Sequence, residues 1–248
     1  MEENIQSMPE STQDNGVSIW SIIIGVFTSP TKAFAAFARN PKILAPLIVI
    51  LVLAGVAGVL TARYNAQLQY DMMKTSTIMP PAALEEMHKA IENTGILKTV
   101  LGAFFGILLV TVLEALVAWF LGSFVFGGES KFKSVWGVGL LAGIIPQIGN
   151  LLRVPLVYAK GTMLVSYGLA AALPGKDFSS VLYSLLYYLD VFAIWGIIAA
   201  GFGYTAIFNI SKGKGMTMAW ILGLLFLFVM VGIMIVGYSF AGINYSFL

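Results

Sequence analysis

The sequence predicts an all-α membrane protein: a polytopic bundle of five transmembrane helices, preceded by an amphipathic helix at the membrane interface. The chain of 248 residues is 58% hydrophobic and only 10% charged, and its mean hydropathy is +0.88. Soluble domains carry about 25% charged residues, since a water-facing surface must be covered by solvated groups. In addition, apolar runs of about 20 residues alternate with charged segments, and such a run matches a hydrocarbon core of about 30 Å.

Composition also narrows the classes of function. The 14 basic and 12 acidic residues leave a formal charge of +2 and are scattered, which argues against nucleic-acid binding. The chain has no cysteine, and this excludes disulfides, thiolate metal sites and cysteine nucleophiles. His88 is the single histidine, so a multi-histidine metal site is excluded as well.

The N-terminal part is predicted to stay outside the bilayer core. Residues 1–16 are polar and acidic, without a basic residue, and we expect a disordered tail rather than a signal peptide. A single membrane domain then occupies 17–248. The apolar stretch 17–27 is too short to span and predicts an interfacial helix.

A second helix is predicted to begin at Ser29-Pro30, a cap followed by proline. Small and aromatic residues share one face of it, and basic residues lie opposite: Ala33, Phe34, Phe37 and Ala38 against Lys32, Arg39 and Lys42. This pattern indicates either a helix lying in the headgroup layer or one packed on the end of the bundle.

Five stretches are long enough to cross the membrane. They are about 43–62, 99–126, 134–152, 182–210 and 216–238. Only Glu114 and Asp190 place a charge inside them. A Ser-Lys-Gly-Lys-Gly turn at 211–215 separates the last two, because polar, glycine-rich backbone belongs in water or at the interface.

Two connecting segments are longer. Residues 63–98 form the extramembrane loop, within which Pro80-Pro81 precedes a short predicted helix. Residues 154–173 contain Pro155 and Lys160; a re-entrant or interfacial segment is favoured over a sixth span, since a lysine at the bilayer centre costs about 2.5–3.5 kcal/mol.

Orientation follows from the basic residues. With five spans each side holds seven, but those on the N-terminal side crowd into very short connections, where the positive-inside effect is strongest. We therefore expect a plasma-membrane protein with a cytoplasmic N-terminus and an external C-terminus.

No catalytic motif is present, so neither enzyme activity nor a cofactor is expected. The membrane carboxylates are the candidate functional residues, because an ionised group there needs a partner or water. Glu114 lies near the middle of its run, and Asp190 lies nearer an end. Arg153 and Lys160 would be counter-charges if their segment folds back into the bundle. Each carboxylate could instead fix helix packing, and Asp190 would lie at the interface if its span began later. In a carrier or channel, Pro146 would break the third span, beside Glu114.

Glycines offer a second pattern. Gly102 with Gly106, and Gly139 with Gly143, match Gly-x-x-x-Gly, which allows close helix approach in lipid. Packing within the chain and pairing of two copies are the alternatives.

Three blocks carry a family resemblance. They are Ser29-Pro30-Thr31-Lys32-Ala33-Phe34, Gly127-Gly128-Glu129-Ser130-Lys131-Phe132-Lys133, and Leu189-Asp190-Val191-Phe192-Ala193-Ile194-Trp195 continuing to Asn209-Ile210-Ser211-Lys212. In their order and spacing the chain resembles the prokaryotic branch of the Yip domain family, integral membrane proteins of the Ypt/Rab-interacting type. The resemblance implies five membrane helices, a cytoplasmic N-terminus and an exoplasmic C-terminus. Eukaryotic members act in vesicle traffic and membrane shaping, but this chain lacks their Asp-Leu-Tyr-Gly-Pro-like segment, so GTPase binding is not carried over.

Two functions remain open. The first is a non-enzymatic scaffold or membrane-organising protein that contacts the bilayer and recognises other membrane proteins, or a second copy of itself, through its helix faces and the connections at 127–133 and 211–215. The second is a carrier or channel for a small solute or proton, with Glu114 on the pathway.

Overall fold

The computed structural model describes residues 17–92, 96–166, 168–173 and 180–243. The predicted polar tail, 1–16, lies outside these ranges. The described chain is built from α-helices, and five of them are long and apolar enough to cross a membrane. The predicted fold class, an all-α polytopic bundle with five spans, is thus confirmed.

Two short helices precede the spans. α1 (Ile19–Thr28) is apolar, and α2 (Pro30–Arg39) has proline in its first turn, where the missing N–H costs no helical hydrogen bond. α2 buries Phe34 and Phe37 completely among the bundle helices. Its apolar face is therefore covered by protein, as expected for a helix packed on the end of the bundle.

The spans come next, with two short helices between them. In chain order they are α3 (Leu44–Lys74), α4 (Pro81–Glu92), α5 (Ile96–Phe120, continued by a π-helical turn at Leu121–Val125), α6 (Phe132–Lys160), α7 (Val181–Tyr188), α8 (Val191–Phe208) and α9 (Lys212–Phe240). α4 and α7 are too short to span. The other five are the candidate membrane helices.

Three predicted boundaries differ from the structure. α3 continues past residue 62 to Lys74, since 63–74 contains no proline or glycine that would end a helix. α6 likewise continues to Lys160, where Gly161 adopts a left-handed conformation with φ of 66° and ends it. The predicted stretch 182–210 is divided into α7 and α8 at Leu189 and Asp190.

The centre of the bundle is formed by α6 and α8. In α6, 50% of the most apolar stretch is buried inside the protein, whereas the corresponding value for the helix Leu97–Val125 is 6%. The main core packs Leu141 and Ile145 of α6 with residues of α2 and α8. α5 and α9 therefore present most of their apolar surface outward, as lipid-facing helices do.

The two ends of the bundle differ, and we name them by their connections. The short-loop end comprises α1, α2, the connections 40–43, 126–131 and 209–211, and the helix turns next to them. The long-loop end comprises 75–80, 161–166, 168–173, 180–190, the helix turns next to them, the start of α5 and the C-terminal end of α9. There, the Thr77 amide donates to the Gly242 carbonyl at 2.9 Å and so joins α9 to the segment after α3.

Candidate functional site

Glu114 lies on α5, and its side chain is half-buried. It lies near enough to Tyr204 of α8 for its charge to act on that residue. One turn before it, the Thr111 hydroxyl accepts a hydrogen bond of 3.2 Å from the Trp136 indole. Trp136 and Tyr204 each lie four residues from the short-loop ends of their helices, about 6 Å along the axis. The carboxylate therefore lies in the half of the bundle nearer the short loops.

The predicted counter-charge does not reach this carboxylate. Within the ranges that the structure describes, Glu114 takes part in no ion pair. Arg153 is at the other end of the bundle, in α6, and donates to the Met163 carbonyl at 3.4 Å. The structure therefore places Glu114 and Arg153 in separate sites.

Asp190 is the N-cap of α8. One of its carboxylate oxygens accepts hydrogen bonds from the backbone amides of Phe192 and Ala193, both at 2.8 Å. These amides have no partner within the helix, and a negative charge there also complements the helix dipole. The α8 helix begins after Asp190, so the residue lies outside the helix body.

Pro146 does not break α6, whereas the carrier or channel hypothesis would require a break. The helix runs without interruption from Phe132 to Lys160. A proline leaves the carbonyl four residues before it, here that of Ala142, without its helical hydrogen bond. Gly196 of α8 lies against both, since an added Cβ would be 3.3 Å from Pro146 Cδ and 3.5 Å from the Ala142 oxygen. Close packing of α8 thus fills the space at the proline.

Arg153 lines a cavity of about 180 Å³ between α3 and α6 at the long-loop end. Its guanidinium lies over the Tyr187 ring, 5.9 Å from the centroid. The Tyr187 hydroxyl donates towards the Met163 carbonyl at 3.2 Å and the Val165 carbonyl at 3.4 Å, which holds the segment after α6 in place. Burial raises the pKa of the Tyr187 phenol, and the nearby Arg153 charge opposes part of this rise.

Three polar residues of this cavity were not predicted as site residues. Gln147 and Asn150 precede Arg153 at intervals of three, a ridge on one helix face, and Thr61 faces them from α3. The signal was present in the sequence, because two amides at that spacing are unusual in the predicted span 134–152. Two tyrosine contacts brace the same end: the Tyr158 hydroxyl donates to the Leu60 carbonyl at 2.9 Å, and its ring meets Tyr64 edge-on.

The two connections predicted to recognise partners lie next to each other. The Lys214 ammonium donates to the Phe126 carbonyl at 3.3 Å, and the Gly128 amide donates to the Gly122 carbonyl at 2.9 Å. The Phe208 ring occupies the space beside Gly122, and its backbone passes Gly128 so closely that an added Cβ would be 2.9 Å from its oxygen. The connections at 127–133 and 211–215 therefore form one surface at the short-loop end.

The glycines of the two predicted Gly-x-x-x-Gly motifs make few contacts with other helices of the same chain. An added Cβ would meet nothing within 4 Å at Gly102, Gly106 and Gly139, while at Gly143 it would meet only the tip of Ile50 at 2.9 Å. Close helix contacts occur at other glycines, which face aromatic rings or backbone: Gly122, Gly137, Gly149, Gly203 and Gly215. Spacing alone did not identify them.

The fold and these contacts define a polytopic helical membrane protein with five candidate spans, in which polar groups gather at the helix ends. The family model of the Yip1 domain matches residues 24–233. The chain belongs to the Yip1 domain family, and the resemblance inferred from its sequence is confirmed. It is similar to "Membrane protein YknW" of Bacillus subtilis (strain 168), with 23% identity over 223 residues that cover 89% of this chain and 90% of the relative. No solved structure matches the chain.

Proposed function

We propose that this protein is a non-enzymatic scaffold that organises other membrane proteins at the short-loop end of its bundle. The observation that carries the proposal is the juxtaposition of the connections 127–133 and 211–215, held together by the Lys214 contact with the Phe126 carbonyl. A composite surface built from two distant parts of the chain, on top of a tightly packed core, can present a fixed pattern of groups to a partner.

The charge of this end supports the same proposal. In the described part of the chain it carries seven basic side chains and one acidic one, Glu129; the basic residues are Lys32, Arg39, Lys42, Lys131, Lys133, Lys212 and Lys214. Basic residues close to span ends favour the cytoplasmic side and attract anionic headgroups. We propose accordingly that 17–248 form one domain in the plasma membrane, with this end in the cytoplasm and the C-terminus outside.

Recovery of cross-linked partners tests the scaffold. The full-length chain is expressed in its own cells, cross-linked in intact membranes and purified in mild detergent. The test variant carries Lys131→Glu and Lys133→Glu, two exposed residues of the composite surface. The control carries Lys98→Glu and Lys160→Glu, two exposed residues at the opposite end. We expect the test variant to lose partners that the parent and the control retain. Equal recovery from all three, or no partner and no second copy from the parent, would contradict the proposal.

A C-terminal topology reporter tests the orientation. A fusion active only outside the cytoplasm should be active when attached after Leu248, and its activity should vanish when the same reporter is inserted into 127–131. A cytoplasmic C-terminus would overturn the proposed orientation.

A second function is supported by a different observation. Glu114 is half-buried within a membrane helix and lies near Tyr204, an arrangement compatible with a carrier or channel for a proton or small solute. The unbroken α6 counts against this function, since transport sites commonly use broken helices. The carrier or channel function is tested by measuring the flux of protons or solutes into liposomes that contain the parent or Glu114→Gln. A transporter should show flux that the variant loses, and parent flux no higher than that of empty liposomes would eliminate the function.

A further inference from the structure

The cavity at the long-loop end has a wall rich in hydrogen-bond donors. Its polar lining comes mainly from Gln147, Asn150 and Arg153 of α6. A volume of about 180 Å³ is far more than the roughly 10–15 Å³ that a single water needs. We propose that this cavity binds a phosphate group, supplied either by a phospholipid headgroup or by a soluble phosphate.

Arg153 supplies the positive charge of the cavity, and two contacts fix the position of its guanidinium. The Tyr187 ring lies under its guanidinium, and the Met163 carbonyl accepts one of its N–H groups at 3.4 Å. A guanidinium has five N–H donors, so one such contact leaves most of them available. Their fork geometry matches two oxygens of one phosphate, which is why arginine recognises phosphate in a bidentate manner.

The amides beside Arg153 add neutral donors. The exposed Asn150 side chain donates through Nδ2 to Gln147 Oε1 at 3.4 Å, and this contact uses the Gln147 oxygen rather than its amide N–H groups. On the opposite wall, the Thr61 hydroxyl donates to the Ala57 carbonyl of its own helix at 2.8 Å. The donors available to a ligand therefore come from the α6 ridge.

The cavity selects for negative charge. Of the described residues that line it, none is a carboxylate, and within the described ranges Arg153 forms no ion pair. A buried or half-buried cation without a carboxylate partner favours an anionic ligand. The nearest described charge along α3 is also basic, since Arg63 lies two residues beyond Thr61.

Position along the helix favours phosphate over other anions. Arg153 lies 21 residues beyond Phe132, about 31 Å along the axis at 1.5 Å per residue. That distance is close to the hydrocarbon thickness of about 30 Å. If the start of α6 is at one membrane surface, Arg153 is at the level of the headgroup phosphates on the other.

Native mass spectrometry of the delipidated full-length protein in detergent tests the proposal. The lipid arm titrates phosphatidylglycerol, phosphatidylcholine and diacylglycerol, which share acyl chains and differ in the phosphate and its charge. The soluble arm titrates inorganic phosphate. The variants are Arg153→Gln, which removes the charge, and Arg153→Lys, which keeps the charge but not the fork. Lys160→Gln is the control, because it removes a charge from the same helix end outside the cavity lining.

We expect both phospholipids, but not diacylglycerol, to bind the parent and the control equally. Arg153→Gln should weaken binding about tenfold or more, and Arg153→Lys should lie between. Phosphate that binds with the same dependence on Arg153, when lipids do not, would support the proposal with a soluble source. The proposal would be overturned if neither lipid nor phosphate bound the parent, or if Arg153→Gln bound them as well as the parent does. Binding of diacylglycerol as tight as that of the phospholipids would also overturn it.

A second variant covers the case in which Arg153→Gln does not fold. Gln147→Leu removes a neutral donor from the cavity wall and leaves Arg153 in place. We expect it to weaken phosphate-dependent binding several-fold without changing the unfolding temperature of the unliganded protein by more than the control does. Unchanged binding in both Gln147→Leu and Arg153→Lys would also overturn the proposal.

Discussion

The two ends of the bundle are built by different means. At the short-loop end, helices and connections meet through glycine, with Phe208 against Gly122 and Gly128 and the start of α9 against α8. At the long-loop end, close glycine contacts such as that of Gly149 with Phe192 are joined by polar contacts: Asp190 caps α8, and tyrosine hydroxyls donate to carbonyls of α3 and of the segment after α6. Close backbone packing tolerates little change, whereas polar contacts around a cavity leave room for a ligand.

The difference bears on what the family match means. The blocks at 127–133 and 209–212 lie at the short-loop end, where close packing demands particular residues. These blocks are therefore explained by the packing of the fold. The block 189–195 lies at the long-loop end, and the polar cavity with Arg153 is outside all three blocks, although the family match at 24–233 spans it. Membership of the family thus supports the architecture more directly than it supports any ligand.

The largest effect is expected where two helix backbones meet. At Gly215, in the first turn of α9, an added Cβ would be 2.7 Å from the Gly201 oxygen and would also meet Thr205. Because backbone cannot rotate away, Gly215→Ala should destabilise the protein by about 1–3 kcal/mol. Thermal unfolding of the purified protein in detergent measures this effect.

Gly213, two residues before Gly215 in the same helix turn, is the matched control. Its added Cβ would meet nothing within 4 Å. Gly213→Ala should leave stability unchanged or raise it by up to about 1 kcal/mol, the helix propensity of alanine over glycine. Equal unfolding temperatures of the two variants would show that the short-loop end is not held by close backbone contact.

A smaller effect is expected at the long-loop end. Asp190→Ala removes the acceptor for two backbone amides of α8 and should cost about 1 kcal/mol, within a range of 0.5–2. Asp190→Asn retains a side-chain oxygen and should recover most of the loss. Hydrogen exchange at the amides of Phe192 and Ala193 should speed up in the alanine variant alone. Unchanged exchange there would mean that the cap does not stabilise the start of α8.

The Trp136–Thr111 hydrogen bond joins α6 to α5 beside Glu114. Trp136→Phe should cost about 0.6 kcal/mol, the average for interhelical hydrogen bonds in membrane bundles, plus any loss of ring contact. Thr111→Val supplies the second arm of a double-mutant cycle. If the two losses add without coupling, the hydrogen bond does not contribute to stability.

The sequence predicted the spans well because bilayer thickness imposes a run length that is visible without any knowledge of packing. It also located Glu114, since a charge inside an apolar run is conspicuous. It placed the start of the fourth span too early, because the residues of α7 are as apolar as those of a span and only the capping contacts of Asp190 reveal the break.

Glycine roles could not be predicted in the same way. Gly102 and Gly122 lie in the same apolar run, yet one faces open space and the other an aromatic ring of α8. Whether a glycine faces open space or a ring depends on the neighbouring helix. Residue spacing within one run carries no information about that neighbour. The amides Gln147 and Asn150 were visible in the sequence, but the cavity was not, because Thr61 and Arg153 lie 92 positions apart and meet only in the fold.

The smallest effect on the chain itself is expected on the outer face of α5. Gly102 and Gly106 are open, so Gly106→Leu should change the free energy of unfolding of the monomer by no more than about 0.5 kcal/mol. If this face pairs with a second copy of the chain, the same substitution should abolish the dimer, because a leucine keeps the two helix axes apart. Molecular mass in detergent and unfolding temperature, measured on one preparation, separate these effects. Gly122→Ala is the control that should lower the unfolding temperature. A comparable fall for Gly106→Leu would mean that the α5 face is covered within the chain, and the contrast between open and packed glycines would fail.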